Sequence, residues 1–239
     1  MTLTRELVYG RNAARELYRG PRQVLETWVT ERAAAQIPWL DAGPRAQVKP
    51  ERLLSEAAAT RDHQGIVAWC EPFRYADAHE LARRQAPLLV CLDQVTDPHN
   101  LGAVVRSAEG VGATGVVVPA HGSVRVTSAV CRASAGAVEH VPIAVVPNLA
   151  RYLAEVKSNE LWAYAADADG TVSMWDADLT GGVALVLGAE GKGVRPLVRR
   201  TCDATVSIPL GGKVGSLNVS VAAAVLLFEA RRQRRNGDG

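Results

Sequence analysis

Five strand-length runs in the second half of the sequence restrict the fold more than any other feature: Leu88 to Leu92, Val116 to Pro119, Leu161 to Ala165, Val183 to Leu187 and Thr205 to Pro209. The first four are apolar throughout and lack the alternation of a sheet with one wet face. Helix-length segments separate them. Strands of this kind are buried on both sides, which predicts an α/β fold with a mostly parallel sheet covered by helices on both faces. Ligands of such sheets sit at the carboxyl ends of the strands, where the Gly-rich segments of this half fall. The last apolar stretch, Asn218 to Ala230, is apolar on nearly every side and is expected to form a buried helix, with its arginine-rich end suiting the helix dipole.

Ahead of Pro87 the pattern is finer. Ala13 to Tyr18, Val24 to Thr30, Glu31 to Leu40, Ala46 to Lys49, Pro50 to Ala59 and Ile66 to Cys70 alternate short helix and strand signals and read as a small α/β unit. Phe73 to Gln85 is polar, has no clear apolar face and reads as a connector. The expected division is therefore a first domain over 1–72, a linker over 73–85, a second domain over 86–235 and a tail over 236–239.

Composition narrows the class. At 48% hydrophobic and 22% charged, the 239 residues have the make-up of a folded globular protein. The longest apolar run, Val219 to Phe228, is about half of the roughly 20 residues that cross a bilayer, and Met1 to Gly10 holds no apolar signal core. A cytoplasmic protein with no membrane partner is expected. Cys70, Cys91, Cys131 and Cys202 are far apart and form no C-x-x-C pair, so neither a zinc site nor a disulfide framework is expected, and no metal is called for. The net charge of +2 does not require a nucleic-acid partner. Arginine clusters near the start (Arg5, Arg11, Arg15, Arg19, Arg22) and the end (Arg231, Arg232, Arg234, Arg235) could pair with phosphates or simply form a solvated surface.

One motif matches by letter and fails by context. Gly110, Gly112 and Gly115 spell G-x-G-x-x-G, but a helical segment leads in and a strand leads out, the reverse of what a dinucleotide fingerprint needs; these glycines suit a helix C-terminus. Lys192 is followed by Gly193 and Lys213 by Val214, so neither completes a phosphate-binding G-K-[ST] loop.

Three other segments carry candidate chemistry. Asp97 to Ala108 (DPHNLGAVVRSA) places Asn100 and Gly102 in a turn after a strand; Asp97 and Asn100 either cap the next helix or face a substrate. Arg106 lies among apolar neighbours and is expected to need a partner. Leu185 to Val194 (LVLGAEGKGV) ends a buried strand in a loop whose glycines at 188, 191 and 193 let backbone approach a ligand, with Glu190 its acid. Ile208 to Glu229 runs from a strand end through a Gly-rich loop to Ser216 and Asn218, one of which is expected to cap the last helix.

In order and spacing these segments resemble the three motifs of the SpoU (TrmH) family of RNA 2'-O-methyltransferases. Val8 to Ala13, the His63-Gln64-Gly65-Ile66 turn and Ala133 to Ala137 further resemble the subgroup that methylates a guanosine ribose in 23S rRNA. The resemblance implies an N-terminal L30e-like RNA-binding domain, a methyltransferase domain with an α/β trefoil knot, a homodimer whose sites use both subunits, an RNA substrate and no DNA. It implies S-adenosylmethionine as cofactor, held around Leu187, Gly188, Gly191, Ile208, Leu210, Ser216, Leu217 and Asn218, and Asn100, Arg106, Glu190, Ser216 and Asn218 as polar active-site positions. A tRNA ribose, an rRNA site tied to antibiotic resistance, and an RNA-binding protein that kept the fold without the activity are the alternatives. Since a guanidinium stays protonated, Arg106 is expected to clamp a phosphate and stabilise charge rather than act as a base.

Overall fold

The computed structural model describes residues 5–42, 46–157, 160–189 and 191–237. In chain order the elements are β1 (Glu6–Tyr9), α1 (Arg11–Arg19), β2 (Val24–Val29), α2 (Glu31–Ala34), β3 (Gln47–Val48), α3 (Glu51–Ala58), β4 (Ile66–Cys70), α4 (Ala78–Ala82), β5 (Leu88–Asp93) and α5 (Pro98–Val111). They continue with β6 (Gly115–Pro119), α6 (Ser128–Ala133), β7 (Ile143–Val146), α7 (Leu149–Val156), β8 (Leu161–Ala166), β9 (Val172–Ser173), β10 (Gly182–Gly188), α8 (Pro196–Thr201), β11 (Ala204–Ser207) and α9 (Val219–Gly237). The chain forms two compact units: the first holds the chain up to Arg74 together with Arg125–His140, the second Tyr75–Val124 and the chain from Val141 onward.

In the first unit four strands lie in the order β1-β4-β2-β3, antiparallel except for the parallel β2–β3 pair. β4 is buried along its whole length because both faces are covered. Ala14 of α1 and Ala33 of α2 pack with Val29 and Ile66 on one side. Leu54 of α3 packs with Val67 and Trp69 on the other, where Trp28 meets Trp69 edge-on at 4.6 Å. The segment Arg125–His140, placed by sequence inside 86–235, packs with this unit instead. Ser128 Oγ donates to the Leu7 carbonyl, and the buried Arg22 guanidinium grips both carboxylate oxygens of the buried Glu139. Gly136 sits at φ +90°, and a Cβ there would come within 2.6 Å of the Glu16 side chain, so α1 seats closely against this turn.

The second unit is a seven-stranded sheet, β7-β6-β5-β10-β8-β11-β9, with parallel pairing throughout. The five expected strands are present as β5, β6, β8, β10 and β11. Ala163, Ala184, Val186, Leu89 and Val117 face α4, α7 and α8 through Leu81, Leu149, Leu153 and Val198, while α5 and α9 pack side by side and cover the opposite side at β6 and β10. Each fully buried Leu or Val contributes about 1.5–3 kcal/mol, and together they hold the strand ends in fixed register beneath the site.

Three expectations are corrected here. The connector contains α4, whose Asp77 side chain caps it and whose Ala78 and Leu81 are buried; one turn was too short for its apolar face to register. β1, β7 and β9 were not foreseen, being too short to stand out as runs. The last helix is not buried all round: Val221 is 48% and Phe228 56% exposed. The G-x-G-x-x-G stretch is a helix stop, with Gly112 as a left-handed C-cap (φ 70°, ψ 38°) between α5 and β6.

Candidate active site

A cleft of about 660 Å³ opens at the carboxyl ends of β8, β10 and β11, as expected for a parallel sheet. Leu187 and Gly188 end β10 at its floor, Val206 and Ile208 come from the end of β11, and Leu210 and Gly215 to Asn218 close it from the connection to α9. The loop after β10 is folded tightly back on itself. Gly193 N donates to the Ala189 carbonyl at 2.9 Å, and Gly191 and Gly193 hold φ of +74° and +63°. A Cβ at Gly188 would lie 1.9 Å from the Gly193 carbonyl carbon, so only glycine fits under this loop.

The loop is pinned from outside the cleft. Asp93, fully buried at the end of β5, accepts from Arg195 N at 2.9 Å and Arg195 Nε at 2.9 Å, and Arg195 Nη2 lies 2.7 Å from the same carboxylate. Sequence reasoning missed this pair; an acid ending an apolar strand and an arginine after a Gly-rich loop were its available signal. The Asp167 carboxylate, also at the cleft, pairs with Arg199 at 3.0 Å.

A second depression of about 380 Å³ adjoins the first and shares Ala189, Lys192 and Val219 with it; Gln94, Asp97, Asn100 and Gly122 form its other walls. Asn218 joins the two. Its Oδ1 accepts from Ser220 N at 2.8 Å, capping α9, while its Nδ2 donates to Asn100 Oδ1 at 3.1 Å. Asp97 caps α5 through His99 N at 2.8 Å, so Asn100 is left for the site.

All eight residues expected around the cofactor, Leu187, Gly188, Gly191, Ile208, Leu210, Ser216, Leu217 and Asn218, line the larger cleft. Ala166, Asp167, Ala168 and Lys192 line it too and were not anticipated. Glu190 lies outside the described residues. Arg106 is exposed on α5 and lines neither depression of its own chain. Its apolar neighbours face inward while it points outward, which corrects the expectation that its surroundings demand a partner. Among the described residues no cluster of metal-ligating side chains occurs and no helix is long and apolar enough to cross a membrane.

A model of the SpoU rRNA Methylase family matches residues 87–228, the stretch that builds this sheet and both depressions. The chain belongs to the SpoU rRNA methylase family. A second family, described as RNA 2'-O ribose methyltransferase substrate binding, matches residues 7–76. The 23S rRNA (guanosine-2'-O-)-methyltransferase RlmB of Shewanella oneidensis is 40% identical over 242 residues, covering 97% of this chain and 98% of that protein. The enzyme of the same name from Vibrio cholerae is 39% identical over 243 residues, with 97% and 98% covered. Among solved structures, the SpoU methyltransferase AviRb from Streptomyces viridochromogenes in complex with AdoMet superposes with a TM-score of 0.81 at 27% identity, covering 96% of this chain and 90% of that one. The SpoU match thus spans the sheet and its cleft, and also takes in Arg125–His140 of the first unit.

Proposed function

We propose that this SpoU protein transfers a methyl group from S-adenosylmethionine to the 2'-oxygen of a guanosine ribose in 23S rRNA, acting as a cytoplasmic homodimer with the family's trefoil knot. One observation carries the reading: segments from three strand ends, far apart in sequence, meet in one cleft, two of them bringing glycines to it, and Asn218 ties that cleft to Asn100 in the next depression. The target is taken from the RlmB relatives, which align along nearly the whole chain.

The cleft fits the cofactor in its chemistry. Gly188 lets backbone approach closely, and the exposed apolar side chains of Leu210 and Leu217 (39% and 37%) give an adenine a surface to cover. The bound cofactor supplies an electrophilic methyl on a sulfonium. Backbone at Gly188, Ile208 and Leu217 holds it, and Ser216 and Asn218 order the loop around it. Asn100 orients the ribose side, and much of the rate comes from alignment. Arg106 clamps an RNA phosphate and stabilises the charge growing on the 2'-oxygen, while the proton leaves to that phosphate or to water.

The outer side of α5 and α9 supports the dimer. Exposed Arg106 and Gly110 on one helix and exposed Val221 and Phe228 on the other form a partly apolar face. Pairing two copies there brings Arg106 of one to the cleft of the other, which supplies the guanidinium that each chain's own cleft lacks. The activity is tested by mapping ribose methylation across rRNA and tRNA in a deletion strain. One guanosine mark lost from 23S rRNA and restored by the purified protein with S-adenosylmethionine is the expected outcome; an unchanged rRNA pattern overturns the assignment.

A further inference from the structure

The first unit has its own cleft, about 800 Å³, lined by four cations, Arg11, Arg32, Lys49 and Arg61, against two acids, Glu31 and Glu51. What separates the arginines among them from the other described arginines of residues 5–74 is their partners. Of the nine described arginines between residues 5 and 74, six pair with carboxylates: Arg5, Arg15, Arg19, Arg22, Arg52 and Arg74. The three that meet no carboxylate among the described residues, Arg11, Arg32 and Arg61, all line this cleft. Arg11 is oriented by neutral oxygens alone, the Gln64 carbonyl at 3.2 Å and Gln36 Oε1 at 2.8 Å, so its direction is fixed and its charge is left over. Lys49 rests over the Trp28 ring at 5.6 Å.

The wall beside Arg11 and Arg61 is a strained turn. Gln64 is held at φ +55° and Gly65 at φ +80°, where a Cβ on Gly65 would come within 2.7 Å of Thr30 Oγ1. His63 Nδ1 accepts from Gly65 N at 3.1 Å and locks the turn from below. Backbone strain of this kind persists where the surroundings enforce it, and it clusters at ligand sites. Among the described residues no Phe, Tyr or Trp lines the cleft, and its one ring, that of His63, is buried, so it offers no exposed ring on which to stack a base.

We infer that this cleft is a phosphate-binding subsite, gripping the RNA backbone and reading no sequence. This rests on the RNA methyltransferase reading above and adds where, and by which groups, the first unit holds its substrate. Phosphate contacts position a nucleic acid and make its binding salt-dependent.

The test compares R32Q/R61Q, which neutralises two exposed cleft cations, with R52Q/R74Q, which removes the same charge from ion-paired positions of the same unit. Methyl transfer to in vitro transcribed 23S rRNA is measured over a range of salt, with S-adenosylmethionine affinity and thermal midpoint alongside. For R32Q/R61Q the KM for RNA rises on the order of tenfold, with kcat, cofactor affinity and midpoint unchanged. Its logarithmic salt slope falls by about 1.4 to 1.8, while R52Q/R74Q stays near wild type. Equal behaviour of the two variants overturns the subsite, as does a defect seen only with ribosomal particles and absent with the protein-free transcript, which would point to a protein contact. A wild-type enzyme inactive on 23S rRNA would instead remove the functional reading, and this one with it.

Discussion

Replacing Arg195 by Met separates a clamp on the cofactor loop from a mere strut in the sheet. The substitution keeps the aliphatic stem and the backbone N–H that Asp93 accepts at 2.9 Å, and removes the Nε and Nη2 contacts at 2.9 and 2.7 Å. Hydrogen bonds to a charged group contribute about 1.5–3 kcal/mol. Arg195's side chain is 44% exposed, so solvent screening favours the lower part of that range, about 1.5–2 kcal/mol. Asp93 is wholly buried in a strand end whose register the sheet enforces, so the loss falls on the loop, the freer partner. Since every 1.4 kcal/mol is tenfold, S-adenosylmethionine should bind about 10- to 30-fold more weakly by calorimetry. The thermal midpoint should fall as well, because the buried Asp93 carboxylate loses its ion partner, and Arg195→Lys should recover part of the affinity by restoring one donor. Cofactor affinity within twofold of wild type, together with a midpoint lowered by several degrees, would refute the clamp.

Two further outcomes follow. Arg106→Ala and Gly188→Ala should each be inactive alone, the second because its Cβ would meet the Gly193 carbonyl; mixed and allowed to exchange subunits, they should regain roughly a quarter of wild-type activity, since half of the dimers then carry one intact site of two. No recovery despite proven exchange would place Arg106 at its own chain's cleft. Glu229, buried on α9, is held below the usual carboxylate range by hydrogen bonds from Arg232 and Gln233, which outweigh its burial; its stabilisation is therefore present above that range and lost as pH falls through the lowered value. Urea unfolding of Glu229→Gln should show a shallower decline of stability between roughly pH 5 and pH 3 than wild type, and parallel declines would dismiss the contribution.

The second unit was largely legible because its strands are buried on both faces, and a fully buried strand announces itself as an unbroken run. β10, with Val183 to Leu187, is the plainest case. Elements held by tertiary contact left weaker marks. β9 is two residues paired only with β11, and α4 is one turn fixed by Asp77 and the burial of Leu81. The placement of Arg125–His140 was hidden altogether, because it depends on Arg22 meeting Glu139 from across the chain, and no local pattern encodes such a pair. The residues that line the larger cleft were readable through motif resemblance. Asp93 and Arg195 were not, since each reads alone as an ordinary polar end to an apolar stretch.

Asn218 shows why the choice between a helix cap and a site residue is a false one at the mouth of α9. An aspartate or serine there could accept from Ser220 N and cap the helix equally well. Neither could do so with one end of its side chain while donating with the other to Asn100, because a carboxylate only accepts and a hydroxyl is too short to span both. Asparagine has an acceptor and a donor on one rigid plane, so the cap that starts α9 also fixes the angle at which its amide reaches α5. The helix start, the wall of the larger cleft and the link to the second depression are thus set by one side chain. A residue conforming to its structural role is here no argument against a functional one: the cap is what holds the amide in place.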